Sequence, residues 1–122
     1  MREIRKKSKR KLLLPRLRVI CGEEIALGPG KVELLKHIQN SGSILKAAKA
    51  MDMSYMRAWN LLKTMESCFK NPLVKKSRGG RGGGNAQLTL AGEKALALYE
   101  KMENDCLNAT CQTWETLVTE LK

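Results

Sequence analysis

A chain of 122 residues with ordinary apolar content and few aromatics supports one domain with a real but modest core. Its 23 Lys and Arg against 12 acids leave a formal charge of +11, and the excess is clustered: nine cations and one acid in residues 1–18, five cations and no acid in residues 70–90. Two such patches point to a polyanion partner rather than an evenly solvated surface, while four cysteines without a C-x2-C pair and a single histidine give no zinc site.

The chain opens on a basic arm, residues 1–14, whose "MREIRKKSKRK" is too charged to pack and is expected to be mobile. "KLLLP" is far too short for a signal core or a membrane span, so free thiols in a reducing cytoplasm are expected. "LRVIC" (17–21) predicts a short strand with Leu17, Val19 and Cys21 on one face, and "GEEIALGPG" reads as a turn. A helix follows from Lys31 to Asn40, with Leu34, Leu35 and Ile38 inward. Ser43 is placed to cap a second, short helix in which Ile44, Ala48 and Met51 share a face. Ser54 is placed to cap a third, running to about Phe69, with Ala58, Leu62, Met65 and Phe69 as its inner stripe. Pro72 forbids continuation.

"KKSRGGRGGGNAQLTL" (75–90) holds five glycines and four cations between apolar runs. It is not a phosphate-binding loop: Gly79 and Gly84 have the motif spacing, but Asn85 and Ala86 stand where Lys and Ser/Thr are required. "LVKKSR" and "AQLTL" read instead as two strands joined by "GGRGGG". Thr89 is suited to cap a last helix reaching about Leu121, with Glu93 in its first turn. Two helices joined by a tight turn and followed by a basic hairpin make a winged helix-turn-helix. The fold class is mainly α with a small β hairpin and a long C-terminal dimerisation helix. The expected organisation is an arm over 1–14, a DNA-binding domain over 15–90 and a dimerisation helix over 91–122.

The segments "SGSI", "SYMRAW", "GGRGGGNAQLT" and "LTLAGEKAL" resemble the N-terminal DNA-binding domain of the molybdate-responsive transcriptional regulators, the ModE family, over about residues 17–103. "LVKKS…LTLAG" is similar, more loosely, to the LysR-type regulators. The resemblance implies a dimeric winged helix-turn-helix that binds an inverted repeat. Sensing members of that family carry further oxyanion-binding domains after the long helix. This sequence ends at Lys122, so molybdate binding is not carried over and a regulator without its own sensor domain is expected. The turn between the second and third helices has Asp52 where glycine is usual, and Asp tolerates the left-handed conformation it needs.

With Ala58, Leu62 and Met65 inward, 100° per residue turns Met56, Asn60 and Lys63 outward, with Arg57 beside them. The third helix enters the major groove in this fold. There Arg57 can pair with guanine, Asn60 with adenine, and Met56 can meet a thymine methyl. Tyr55 can offer its hydroxyl to a phosphate, Trp59 reads as packing, and Ser43 and Ser54 at helix N-termini suit either capping or phosphate contact. In the wing Lys75, Lys76, Arg78 and Arg81 follow the DNA backbone, with Arg81 the candidate for the minor groove.

Along the last helix Leu107, Cys111, Trp114, Val118 and Leu121 step by 4, 3, 4 and 3, a coiled-coil seam that Cys106 and Leu117 adjoin. Its earlier half, Ala95, Tyr99, Met102 and Cys106, follows another phase and is expected to pack on its own domain. No nucleophile pairs with a base, so no catalytic residue and no cofactor are expected. The partners expected are double-stranded DNA and a second copy of the chain, with no membrane, in the cytoplasm at the nucleoid. Two rival readings remain: an interaction protein pairing with a sensor-bearing relative, and a sequence-indifferent nucleic-acid binder.

Overall fold

The computed structural model describes residues 10–77 and 85–122. The first nine residues of the arm, together with Arg78, Arg81 and the glycines around them, lie outside the described residues. The described chain runs β1 (Val19–Cys21), β2 (Glu24–Leu27), α1 (Pro29–Ser41), α2 (Ile44–Ala50), α3 (Tyr55–Glu66), β3 (Val74–Ser77), β4 (Asn85–Leu88) and α4 (Leu90–Val118). The mainly helical architecture, the wing hairpin and the long last helix are those of a winged helix-turn-helix.

A second hairpin accompanies the wing. β1 pairs antiparallel with β2, with Ile20 opposite Ile25, so "GEEIALGPG" is half strand rather than all turn. Gly22, at φ 64, supplies the bend, and Ala26 and Leu27 are buried beneath the hairpin. Cys21, expected to share a face with Leu17 and Val19, is exposed while those two pack against the core, and the register is irregular between Val19 and Ile20. α1 begins at Pro29, two residues before the expected Lys31. The proline is preset for the first helical turn, where its missing N–H leaves no bond unmade.

α1, α2 and α3 meet through Leu34, Leu35, Ile38, Ala47, Ala48, Ala58, Leu62 and Met65, all fully buried. α1 ends at Gly42, whose φ of 73 is left-handed and whose N–H donates to the Ile38 carbonyl at 2.8 Å. The turn between α2 and α3 carries Asp52 at φ 60, the conformation expected of it. α3 ends at Glu66, so Phe69 packs against the core from beyond the helix.

Four hydrogen bonds fasten the wing. Glu66 Oε2 accepts the amides of Leu73 at 2.8 Å and Val74 at 2.9 Å, tying the end of α3 to the start of β3. Thr89 donates its hydroxyl to Pro72 O at 2.6 Å, and the Ala86 N–H reaches Gly42 O at 2.9 Å. Gly92 brings α4 so close to Leu73 that a Cβ there would fall inside the Leu73 carbonyl. The buried residues of α4 are Gly92, Ala95, Leu96 and Tyr99, and the Tyr99 hydroxyl donates to Leu17 O at 2.8 Å. Met102, expected to pack on its own domain, is 41% exposed: the body of the domain gives out one turn after Tyr99.

Candidate nucleic-acid interface

α3 is amphipathic by spacing. Burying Ala58, Leu62 and Met65 on α1 and α2 leaves Met56, Arg57, Asn60 and Lys63 exposed, with Met56 at 59%. Ser54, Met56, Arg57, Asn60 and Thr64 line one shallow depression with Leu61. Four of the expected side chains, Ser54, Met56, Arg57 and Asn60, therefore share the N-terminal half of one helix, among them an apolar methyl-seeking group, a five-donor fork and an amide with both donor and acceptor. That is the inventory for reading base edges.

The two serines cap. Ser43 Oγ accepts the Lys46 amide at 3.1 Å, and Ser54 Oγ accepts the Arg57 amide at 3.1 Å. With each oxygen engaged as an acceptor, the hydroxyl proton is the part able to donate outward. Capping at Ser54 also fixes the first turn of α3, from which Arg57 projects. Tyr55 is 43% exposed and stacks on Trp59 with centroids 6.4 Å apart, and Trp59 is partly buried against the core.

The wing lysines separate by strand parity. Val74 opposes Leu88 and Lys76 opposes Ala86, and these four side chains share the face that turns to the domain. Lys75, Ser77, Asn85 and Gln87 share the other face, which borders a polar groove with Gln39 and Ser41. Lys76 Nζ lies 4.2 Å from the Trp59 ring centroid and Lys63 Nζ 5.6 Å from it. Neighbours in sequence, Lys75 and Lys76 thus leave opposite sides of the hairpin.

Sequence reasoning missed Glu66, because its partners are seven and eight residues away and bond through their backbones. The parity of Lys76 did have a signal: Val74, two residues earlier, is the apolar residue that must face inward.

Beyond residue 103, α4 carries Leu107 at 37% and Leu117 at 51% exposure, with Cys106, Trp114 and Val118 half-buried and Cys111 exposed. The helix closes at Val118 with Thr119 as its C-cap, so Leu121 lies past the helix that the sequence had extended to include it. The Cys111 thiol is held protonated above its ordinary range by its hydrogen bond to the Glu115 carboxylate and by that group's charge. No group of His, Cys and acids that could hold a metal occurs among the described residues, and none of their helices is long and apolar enough to cross a membrane.

Comparison with known proteins agrees with this geometry. The chain is 38% identical over 92 residues, 75% of its length and 34% of the relative's, to the molybdenum transport protein ModE of Azotobacter vinelandii. It is 40% identical over 81 residues to the transcriptional regulator ModE of Haemophilus influenzae, covering 66% of this chain and 32% of that one. With the DNA-binding transcriptional dual regulator ModE of Escherichia coli K12 it shares 38% over 78 residues, 64% of this chain and 30% of the other. The chain thus spans about a third of the length of these curated relatives. Residues 30–93, from the start of α1 through the wing into α4, match the family described as bacterial regulatory helix-turn-helix protein, lysR family. That is a family of DNA-binding transcription regulators and not a class of enzymes. With its helix-turn-helix and wing assembled from the matched residues, the chain belongs to the lysR family of bacterial regulatory helix-turn-helix proteins.

Proposed function

We propose that the protein is a sequence-specific transcriptional regulator that binds an inverted-repeat operator as a homodimer. The observation that carries this is the exposure of Met56, Arg57 and Asn60 together at the N-terminal end of α3, opposite its buried stripe. In this reading α3 lies in the major groove, where Arg57 reads guanine and Asn60 adenine. Ser43, Ser54, Tyr55 and Lys63 contact adjacent phosphates, and Lys75, Lys76, Arg78 and Arg81 follow the backbone from the wing.

The domain over residues 15–90 then binds DNA, the arm over 1–14 adds non-specific attraction, and residues 91–122 hold two copies together. Leu107, Cys111, Trp114 and Val118, with Cys106 and Leu117 beside them and Leu121 beyond the helix end, form the self-association surface. Its support is apolar area with no partner in its own domain. The setting is the cytoplasm, at the nucleoid. The relatives' printed names join ModE to molybdenum transport and transcription.

Selection of bound sequences from a random duplex pool tests the proposal. It predicts one motif recovered twice in inverted orientation, with centres about 10 base pairs or a multiple apart. Recovery of no enriched motif sinks it.

A further inference from the structure

The wing and α3 meet at one side chain. Trp59 stands on the flank of α3 between the buried stripe and the exposed face, held by the core on one side and stacked on Tyr55 at 18° to its ring. Two ammonium groups reach it from different elements. Lys76 arrives from β3 at 4.2 Å, and Lys63 arrives from the next turn of α3 at 5.6 Å.

These distances to a shared centroid put two like charges within about 10 Å of one another, roughly a Debye length at moderate salt. Among the described residues, the ion pairs are Lys36 with Glu100, His37 with Glu33 and Lys101 with Asp105, all elsewhere. No described carboxylate neutralises the pair. What holds the two ammonium groups is the face of an indole, a weaker partner for a cation than a phosphate oxygen. A site that gathers cations on a weak partner and offers them no anion of its own is ready to give them to one.

We infer that Trp59 is a positioning residue that pre-orients the ammonium groups of Lys76 and Lys63 toward one backbone phosphate of the DNA, in the cleft between wing and reading helix. The inference rests on the DNA-binding reading above. A lysine stem has many rotamers, and fixing it at a phosphate opposes part of the gain. Parking the stem along the indole beforehand removes part of that loss without consuming the charge. Trp59 thus acts through the lysines, and the distance between wing and α3 becomes part of how phosphate is found.

Two measurements on the full chain test this. In the free protein, the Cε protons of Lys76 carry an upfield ring-current shift in the NMR spectrum. That shift is lost in Trp59→Leu and partly kept in Trp59→Phe. With a duplex, anisotropy over a salt series gives the number of phosphates neutralised. Lys76→Met lowers the slope by about one per subunit. Trp59→Leu leaves the slope unchanged and weakens binding about two- to five-fold, the size of one exposed cation–π contact, and Trp59→Phe recovers part of it.

In the Trp59→Leu background Lys76→Met weakens binding less than it does in the wild type. Equal effects in both backgrounds, or an unchanged slope in Lys76→Met, overturn the inference while leaving DNA binding intact. A wild-type protein that binds no duplex at all overturns the DNA-binding reading and this inference with it. Should Trp59→Leu fail to fold, the Trp59→Phe and Lys76→Met comparison carries the same decision.

Discussion

Gly92 shows how one hydrogen atom sets a position in this fold. In an exposed helix, Gly→Ala stabilises by roughly 1 kcal/mol, because alanine loses less backbone entropy. Here an added methyl would enter the Leu73 carbonyl and press on Leu88 Cβ at 3.3 Å. Overpacking of this kind costs about 1–3 kcal/mol and wins. Gly92→Ala should therefore lower the urea midpoint, and a raised midpoint would show that α4 can slide away from the wing at no cost. Tyr99 makes a second residue-scale case. Burial, with the nearby Glu103 carboxylate, raises its hydroxyl above the ordinary value of 10.0. A raised folded value means the contribution is whole below pH 10 and is lost as pH climbs through the folded value. The melting temperature should therefore fall more steeply above pH 10 in the wild type than in Tyr99→Phe. Parallel curves would mean that Leu17 O and Tyr99 part before the ionisation matters.

At the scale of elements, the wing owes its placement to Glu66. A carboxylate accepting two backbone amides is charge-assisted and partly shielded, and removing it strands the amides of two buried residues, Leu73 and Val74. Glu66→Ala should destabilise by about 1.5–3 kcal/mol in urea titration. Glu66→Gln, which keeps a neutral acceptor, should lose less; equal losses would mean the charge contributes nothing. The helices were legible in the sequence because burial repeats at 3.6 residues: Leu34, Leu35 and Ile38, then Ala58, Leu62 and Met65, are both the apolar stripes and the buried ones. The wing was legible as two short segments with apolar positions joined by a glycine-rich stretch. β2 was not, since Gly22, Glu23 and Glu24 look like turn chemistry until Ala26 and Leu27 find a core to cover. The face of Lys76 was obscured by its neighbour Lys75. Two adjacent lysines read as one patch, whereas a strand divides them. The Glu66 clamp was hidden for a further reason: backbone amides carry no sequence signature.

At the scale of the whole molecule, the proposed regulator needs two copies held a fixed distance apart, and α4 supplies the lever. It is roughly 44 Å long at 1.5 Å per residue, and its buried residues end at Tyr99. Truncation after Met102 keeps every buried residue of α4 and should leave a folded monomer by light scattering, with much weaker operator binding. A truncated protein that remains a dimer would move the interface elsewhere, for example to the exposed Ile20 and Ile25 of the first hairpin. In the proposed reading dimerisation and charge together govern how tightly the protein holds DNA, but the claim at the centre is that the exposed face of α3 reads bases. The most direct measurement compares binding isotherms of wild type, Arg57→Ala and Asn60→Ala on the selected operator, on operators changed at one base pair in each half-site, and on random duplex. The account predicts that each substitution costs about 1–3 kcal/mol on the operator, little on random duplex, and erases discrimination at its own base pair alone. Equal losses on operator and random duplex for both substitutions would contradict it.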